Sequence, residues 1–170
     1  MIYVNEMALA AVHNNQMCTS FNAIALSSDL VPQTLPLIRA TWPTVDLPTW
    51  RGYVQFFSGQ AAPKISGVNG LCDGTGCYRG LYAYQLERDL LVGPVLAVHL
   101  FTAVDISNSP RTLEALLDIA EARAFDIGCV AMRIRLCDRQ TELASRLRDL
   151  GLTADNGQFY KRVELRPFPN

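Results

Sequence analysis

A chain of 170 residues, 49% hydrophobic and 18% charged, has the balance of a folded domain and excludes long disorder; at this length about 70% of the unfolded surface can be buried, so the core needs no metal or disulfide staple. Fifteen basic against sixteen acidic residues leave a net charge of -1, which argues against a generic nucleic-acid or anionic-membrane binder. The five cysteines, odd in number and with Cys129 inside an apolar stretch, fit reduced thiols better than a disulfide framework.

No run of about 18 apolar residues occurs, and the apolar residues 8–12 lack a basic leader, so neither a spanning helix nor a signal peptide is expected and the predicted location is cytoplasmic. Residues 1–20 read as an N-terminal arm, 21–166 as one domain and 167–170 as a tail, with no repeat or linker. The apolar run 21–26 predicts a strand, and residues 31–40 a short helix crowded by Pro32 and Pro36. After Trp42-Pro43 and 46–48, a second helix carries Trp50, Tyr53, Val54 and Phe57 at i, i+3, i+4 and i+7, one apolar face that core packing explains before ligand contact does.

Two extended pieces, 65–71 and 78–86, flank Cys72-Asp73-Gly74-Thr75-Gly76-Cys77 and predict a hairpin. A zinc reading of its cysteines needs two more ligands, and the only histidines, His13 and His99, are not adjacent, so a glycine-rich turn is preferred and no metal is expected. Residues 95–104 are apolar on both faces, as in the middle of a covered sheet. Ser109-Pro110 then opens a helix over 110–124, with Leu113, Leu116, Leu117, Ala120 and Ala124 on one side and Gly128 as its stop. A strand over 129–136 sets Val130, Met132, Ile134 and Leu136 against Ala131, Arg133 and Arg135. Asp138 is positioned to cap a helix ending at Leu150-Gly151, and an alternating strand over 159–165 closes the chain.

Strand, helix, helix, three extended segments, helix, strand, helix, strand resembles the order of the GCN5-related N-acetyltransferases (GNAT) over roughly 21–165. The closest likeness runs from Tyr78 to Gly151: Leu116-Leu117-Asp118-Ile119-Ala120-Glu121-Ala122-Arg123-Ala124, then Gly128 and a strand, then a helix ending Leu150-Gly151-Leu152 before Phe159-Tyr160-Lys161. The resemblance implies an α/β fold with a central mixed sheet flanked by helices, and acetyl-CoA as co-substrate in a gap between the strands 95–104 and 129–136. It implies backbone contacts from Phe101, Thr102 and Ala103, and a pyrophosphate cradle from Asn108, Ser109, Arg111, Thr112 and Leu113. The family pattern there is Arg or Gln, two residues, Gly, any residue, Gly. Asn108 stands at its basic position, and Arg111 and Leu113 replace both glycines, which reshapes the cradle. Leu147 stands where the family often has a tyrosine acid.

His99, with an unperturbed pKa of about 6.5, is the first candidate for a general base, beside the alternative of a hydrogen-bonded core histidine. Glu87 and Asp105 are further base candidates, each also readable as a turn or capping residue, and Tyr160 is the nearest candidate acid in sequence, with Tyr82 and Tyr84 behind it. Arg133 and Arg135 suit a carboxylate or phosphate, or an ion pair with Glu142 or Asp149. The resemblance implies N-acylation of a primary amine by acetyl-CoA or another short acyl-CoA, without a metal, and the charge balance and hydropathy add the expectation of no nucleic-acid or membrane partner. The alternative is an inactive binding or regulatory scaffold, and a homodimer through the aromatic helix is a further possibility.

Overall fold

The computed structural model of the chain describes residues 21–59, 65–104 and 111–163. The predicted arm and tail, and the loop holding Asp105, Asn108 and Ser109, lie outside them. Eleven elements follow in order among the described residues: β1 (Phe21–Ala25), α1 (Val31–Thr41), α2 (Leu47–Ser58), β2 (Ser66–Asp73), β3 (Tyr78–Asp89), β4 (Gly93–Ala103), α3 (Arg111–Asp126), β5 (Ala131–Arg135), α4 (Thr141–Asp149), β6 (Thr153–Asp155) and β7 (Gln158–Arg162). The strands form one mixed sheet in the order β1-β2-β3-β4-β5-β7-β6. Only β4 and β5 run parallel, the relation that the crossover helix α3 between them allows.

Each face of the sheet has its own core. On one, α3 buries Leu113, Leu116, Leu117, Ala120 and Ala124, and α4 buries Leu147, against Leu96, Val98, Phe101, Met132 and Ile134. Each fully buried leucine contributes roughly 1.5–3 kcal/mol over exposure. On the other face α1 and α2 cover Val68, Leu81, Ala83 and Leu100 with Ile38, Trp50, Val54 and Phe57. The aromatic stripe of α2 is therefore turned inward, and only Phe56, off the stripe, is largely exposed, so the predicted dimer face is not on the surface.

Helix ends follow the chemistry of the sequence. Asp46 Oδ1 accepts from Thr49 N at 2.8 Å to start α2. Gly151 ends α4 at φ +83°, with Leu152 N donating to Leu147 O and Gly151 N to Arg148 O, a closure that needs a left-handed residue. Two expectations are corrected. Asp138 caps nothing: α4 starts at Thr141, and the preceding turn is closed by Gln140, whose Oε1 accepts from Cys137 N at 3.0 Å. The closing strand is one arm of a β6–β7 hairpin, turned at Asn156 (φ +46°) and Gly157 (φ +75°). Asn-Gly is the sequence signal for that turn.

The turn between β2 and β3 is organised by Asp73. Its Oδ1 accepts from Thr75 N, Thr75 Oγ1 and Cys77 N, and its Oδ2 pairs with Arg79 Nε at 2.6 Å, which together hold the carboxyl well below the usual range. Cys72 and Cys77 bracket it as free thiols, and among the described residues no group of three or more His, Cys, Asp and Glu side chains converges. Nor is any described helix long and apolar enough to cross a membrane.

Candidate active site

The pairing of β4 with β5 runs only from Val95 opposite Ala131 to Val98 opposite Ile134, although β4 continues to Ala103. The strands part at a β-bulge. On β3, Ala83 lies opposite Leu100 and Tyr84 opposite Val98, which leaves His99 as the extra residue of β4. A bulge turns two consecutive side chains to one face and bends the strand. Accordingly His99 and Leu100 both face α1 and α2, and beyond them Phe101 is buried on the α3 side. From His99 onward no described strand pairs with β4 on its β5 side, so a gap opens in the middle of the sheet.

At this gap the Phe101 carbonyl accepts from Gln140 Nε2 at 2.7 Å. Strand backbone alternates, so Phe101 and Ala103 present N–H and C=O to the gap while Thr102, paired with Leu81, presents its own to β3. Of the three predicted backbone contacts, Phe101 and Ala103 are thus suitably turned and Thr102 is not. The Thr102 hydroxyl instead lies 3.1 Å from that of Thr41 on α1. Gln140, buried and bonded at both ends of its amide, is a site residue that sequence reasoning missed. Gln140→Leu leaves the Phe101 carbonyl and Cys137 amide without their partner and is expected to cost about 1–3 kcal/mol in a urea melt.

Beside the gap lies an open cleft of about 580 Å³ between the end of α1 (Thr41, Pro43), the end of β4 (Thr102, Ala103, Val104) and the start of α4 (Gln140, Thr141, Arg146). The described part of α3 begins at Arg111. Arg111 is exposed there, whereas the side chains of Thr112 and Leu113 are buried. Those two positions can offer an anion only backbone amides, and Arg111 alone adds a side chain.

His99 and Glu87 come together on the α1–α2 face. His99 Nε2 is 3.3 Å from Glu87 Oε1, close enough for an ion pair but poorly aligned, so the buried Nε2 has no true hydrogen-bond partner. Glu87 Oε2 is held by Arg133 Nη2, which corrects the expected Arg133 partners, Glu142 or Asp149. Burial is the main influence on His99, and Arg135 and Arg133 add to it; together they outweigh the pull of Glu87 and hold the imidazole below its usual 6.5. It is therefore neutral at pH 7, with an unclaimed nitrogen.

The tyrosines are elsewhere. Tyr160 pairs with Arg133 across β5 and β7, and its hydroxyl donates to Gln158 Oε1 at 2.9 Å. Two strand spacings, roughly 10 Å, separate β7 from β4. Tyr82 and Tyr84 lie on the α3 face, bonded to Asn69 and Arg123. On the His99 side, α1 and α2 border a second, smaller chamber of about 270 Å³, also open to solvent and lined by Trp42, Val45, Trp50, Tyr53 and Leu100, with His99 at one wall.

This architecture, a mixed sheet whose two parallel central strands part at a bulge, is the fold of the GNAT acetyltransferases. The chain is similar to the aminoglycoside N-acetyltransferase AAC(6')-Iy in complex with CoA, at 13% identity and a TM-score of 0.66 over 81% of this chain and 91% of that one. It is similar to the spermidine N-acetyltransferase of Vibrio cholerae in complex with CoA and spermine, at 10% identity and a TM-score of 0.63 over 84% and 95%. A GNAT-family acetyltransferase of Streptococcus pneumoniae superposes at 9% identity and a TM-score of 0.62 over 85% and 100%. No family model matches the sequence, and no curated protein matches it.

Proposed function

We propose that the protein transfers an acetyl group from acetyl-CoA to a primary amine. The observation that carries this reading is the parting of β4 and β5 at His99, which sets gap-facing backbone amides, a cleft and a neutral imidazole side by side. The similar structures bound to CoA and to spermine support it. Acetyl-CoA would supply the activated acyl group. Phe101 and Ala103 are turned to hold its amide-bearing arm as a strand edge holds a neighbour, and Arg111 with the amides of α3 would meet its phosphates.

The His99 imidazole, partly exposed at the chamber wall, takes the proton that the amine must lose, directly or through one water, and Glu87, beside Nε2, steadies the imidazolium that results. The new C–N bond forms as the C–S bond breaks. A thiol of pKa about 8.5 leaves readily as thiolate, so an acid such as Tyr160 has little to add from β7. Saturating acetyl-CoA, at about 100 times its dissociation constant, is expected to raise Tm by about 5 to 11 °C, and CoA alone by a similar amount. No shift at millimolar ligand would show that the glycine-free loop does not admit CoA and would end this reading.

A further inference from the structure

The chamber beside His99 differs in character from the cleft at the end of β4. Trp42, Val45, Trp50 and Leu100 present carbon to it, and none of its lining residues carries a formal charge at neutral pH. Burial pushes the Tyr53 phenol up to about 12, so this group too is neutral. Trp50 has no donor left for a ligand, because its Nε1 donates to Thr34 Oγ1 at 2.9 Å inside the core. Besides the hydroxyls of Thr49 and Tyr53, the polar group of the chamber is His99, which stands at one wall with Glu87 behind it. A polyamine or an aminoglycoside would bury several ammonium groups here with no carboxylate lining the chamber to receive them, at a cost of several kcal/mol for each ion.

We infer that this chamber receives the body of the acceptor, and that the acceptor is a monoamine carrying an aryl or branched alkyl group, its nitrogen at His99. The inference rests on the acetyl-transfer reading and adds the substrate class. Apolar and aromatic walls with one convergent polar end are the usual build of a small-molecule site. A volume of about 270 Å³ matches a phenyl ring and a short linker and is too small to take up the whole of a multi-ring sugar.

The chain's two tryptophans, Trp42 and Trp50, both line the chamber, so their emission reports its occupancy without any turnover. The full chain is titrated with 2-phenylethylamine, isoamylamine and spermidine, and CoA release from acetyl-CoA is followed with the same amines. The expected result is a saturable change in emission and CoA release for the first two and neither for spermidine. Thr49→Phe, placed at the exposed rim of the chamber, should lower kcat/KM for 2-phenylethylamine by about tenfold or more at unchanged Tm. Turnover of spermidine with no emission response to the aryl amine would overturn the substrate class and leave acetyl transfer standing. Emission changes with no CoA released from any amine would overturn acetyl transfer, and the acceptor role with it. Faster transfer to methylamine from hexanoyl-CoA than from acetyl-CoA would assign the chamber to the acyl chain and overturn the inference.

Discussion

His99→Ala is expected to lower kcat for the proposed acetyl transfer by about 10²- to 10⁴-fold, the range that a positioned proton acceptor supplies. The side chain is half-buried and its Nε2 has no hydrogen-bond partner, so its removal leaves no orphaned donor and stability should change little by comparison. The pH profile separates a base from a packing residue. Because the imidazole ionises below 6.5, kcat/KM in the wild type falls as pH drops through that ionisation, and the corresponding arm is missing from His99→Ala. The same depressed value acts on stability: the unfolded chain binds the proton more tightly, so the contribution is present above 6.5 and is lost as pH falls toward the folded value. Tyr160→Phe, on β7, should leave kcat within about threefold, a difference of less than 1 kcal/mol. An equal loss from both variants, or an unaltered pH arm without His99, would remove histidine from the mechanism.

Trp50→Ala is the largest expected loss of stability, about 3–5 kcal/mol by urea or thermal melt. Trp50 is 2% exposed, stacks on Tyr53 at 5.7 Å between ring centroids, and donates to the Thr34 hydroxyl, which in turn donates to the Val31 carbonyl. Its removal opens a cavity between α2 and the sheet and strips the buried Thr34 oxygen of its donor. In a chain of this length the loss corresponds to a fall in Tm of roughly 6 to 20 °C. A loss below about 1 kcal/mol would mean that the second core collapses around the gap and holds the face less firmly than its burial indicates.

The parts of this fold that short-range patterns determine were legible. The leucine spacing of α3, the stops at Gly128 and Gly151, and a β4 apolar on both faces each follow from periodicity or from φ at one residue. The GNAT fold followed from the order of those pieces. What escaped is set by partners far along the chain. Nothing local distinguishes His99 from a residue in regular register, because the bulge is defined only against Ala83 and Tyr84. Glu87 and His99 were each candidates, but their contact, and the capture of Glu87 by Arg133, exist only once three strands lie together. Gln140 looks like any polar residue before a helix until Phe101, 39 positions earlier, supplies its acceptor. The β6–β7 hairpin is a different case. Asn156-Gly157 announces it, but the three residues of β6 are all exposed and show no alternation to support the turn signal.

One residue of chain length separates β4 from a strand in regular register with β3. Deleting His99 would restore regular pairing between β3 and β4, remove the bend of the bulge and, because His99 and Leu100 share a face, leave the other β4 side chains on the faces they now occupy. The bulge is therefore specified by a count as much as by a composition. Any residue at that position would keep the bulge, so the architecture at residue 99 and the proton role proposed for it are separable, and a substitution can silence the second while leaving the first intact.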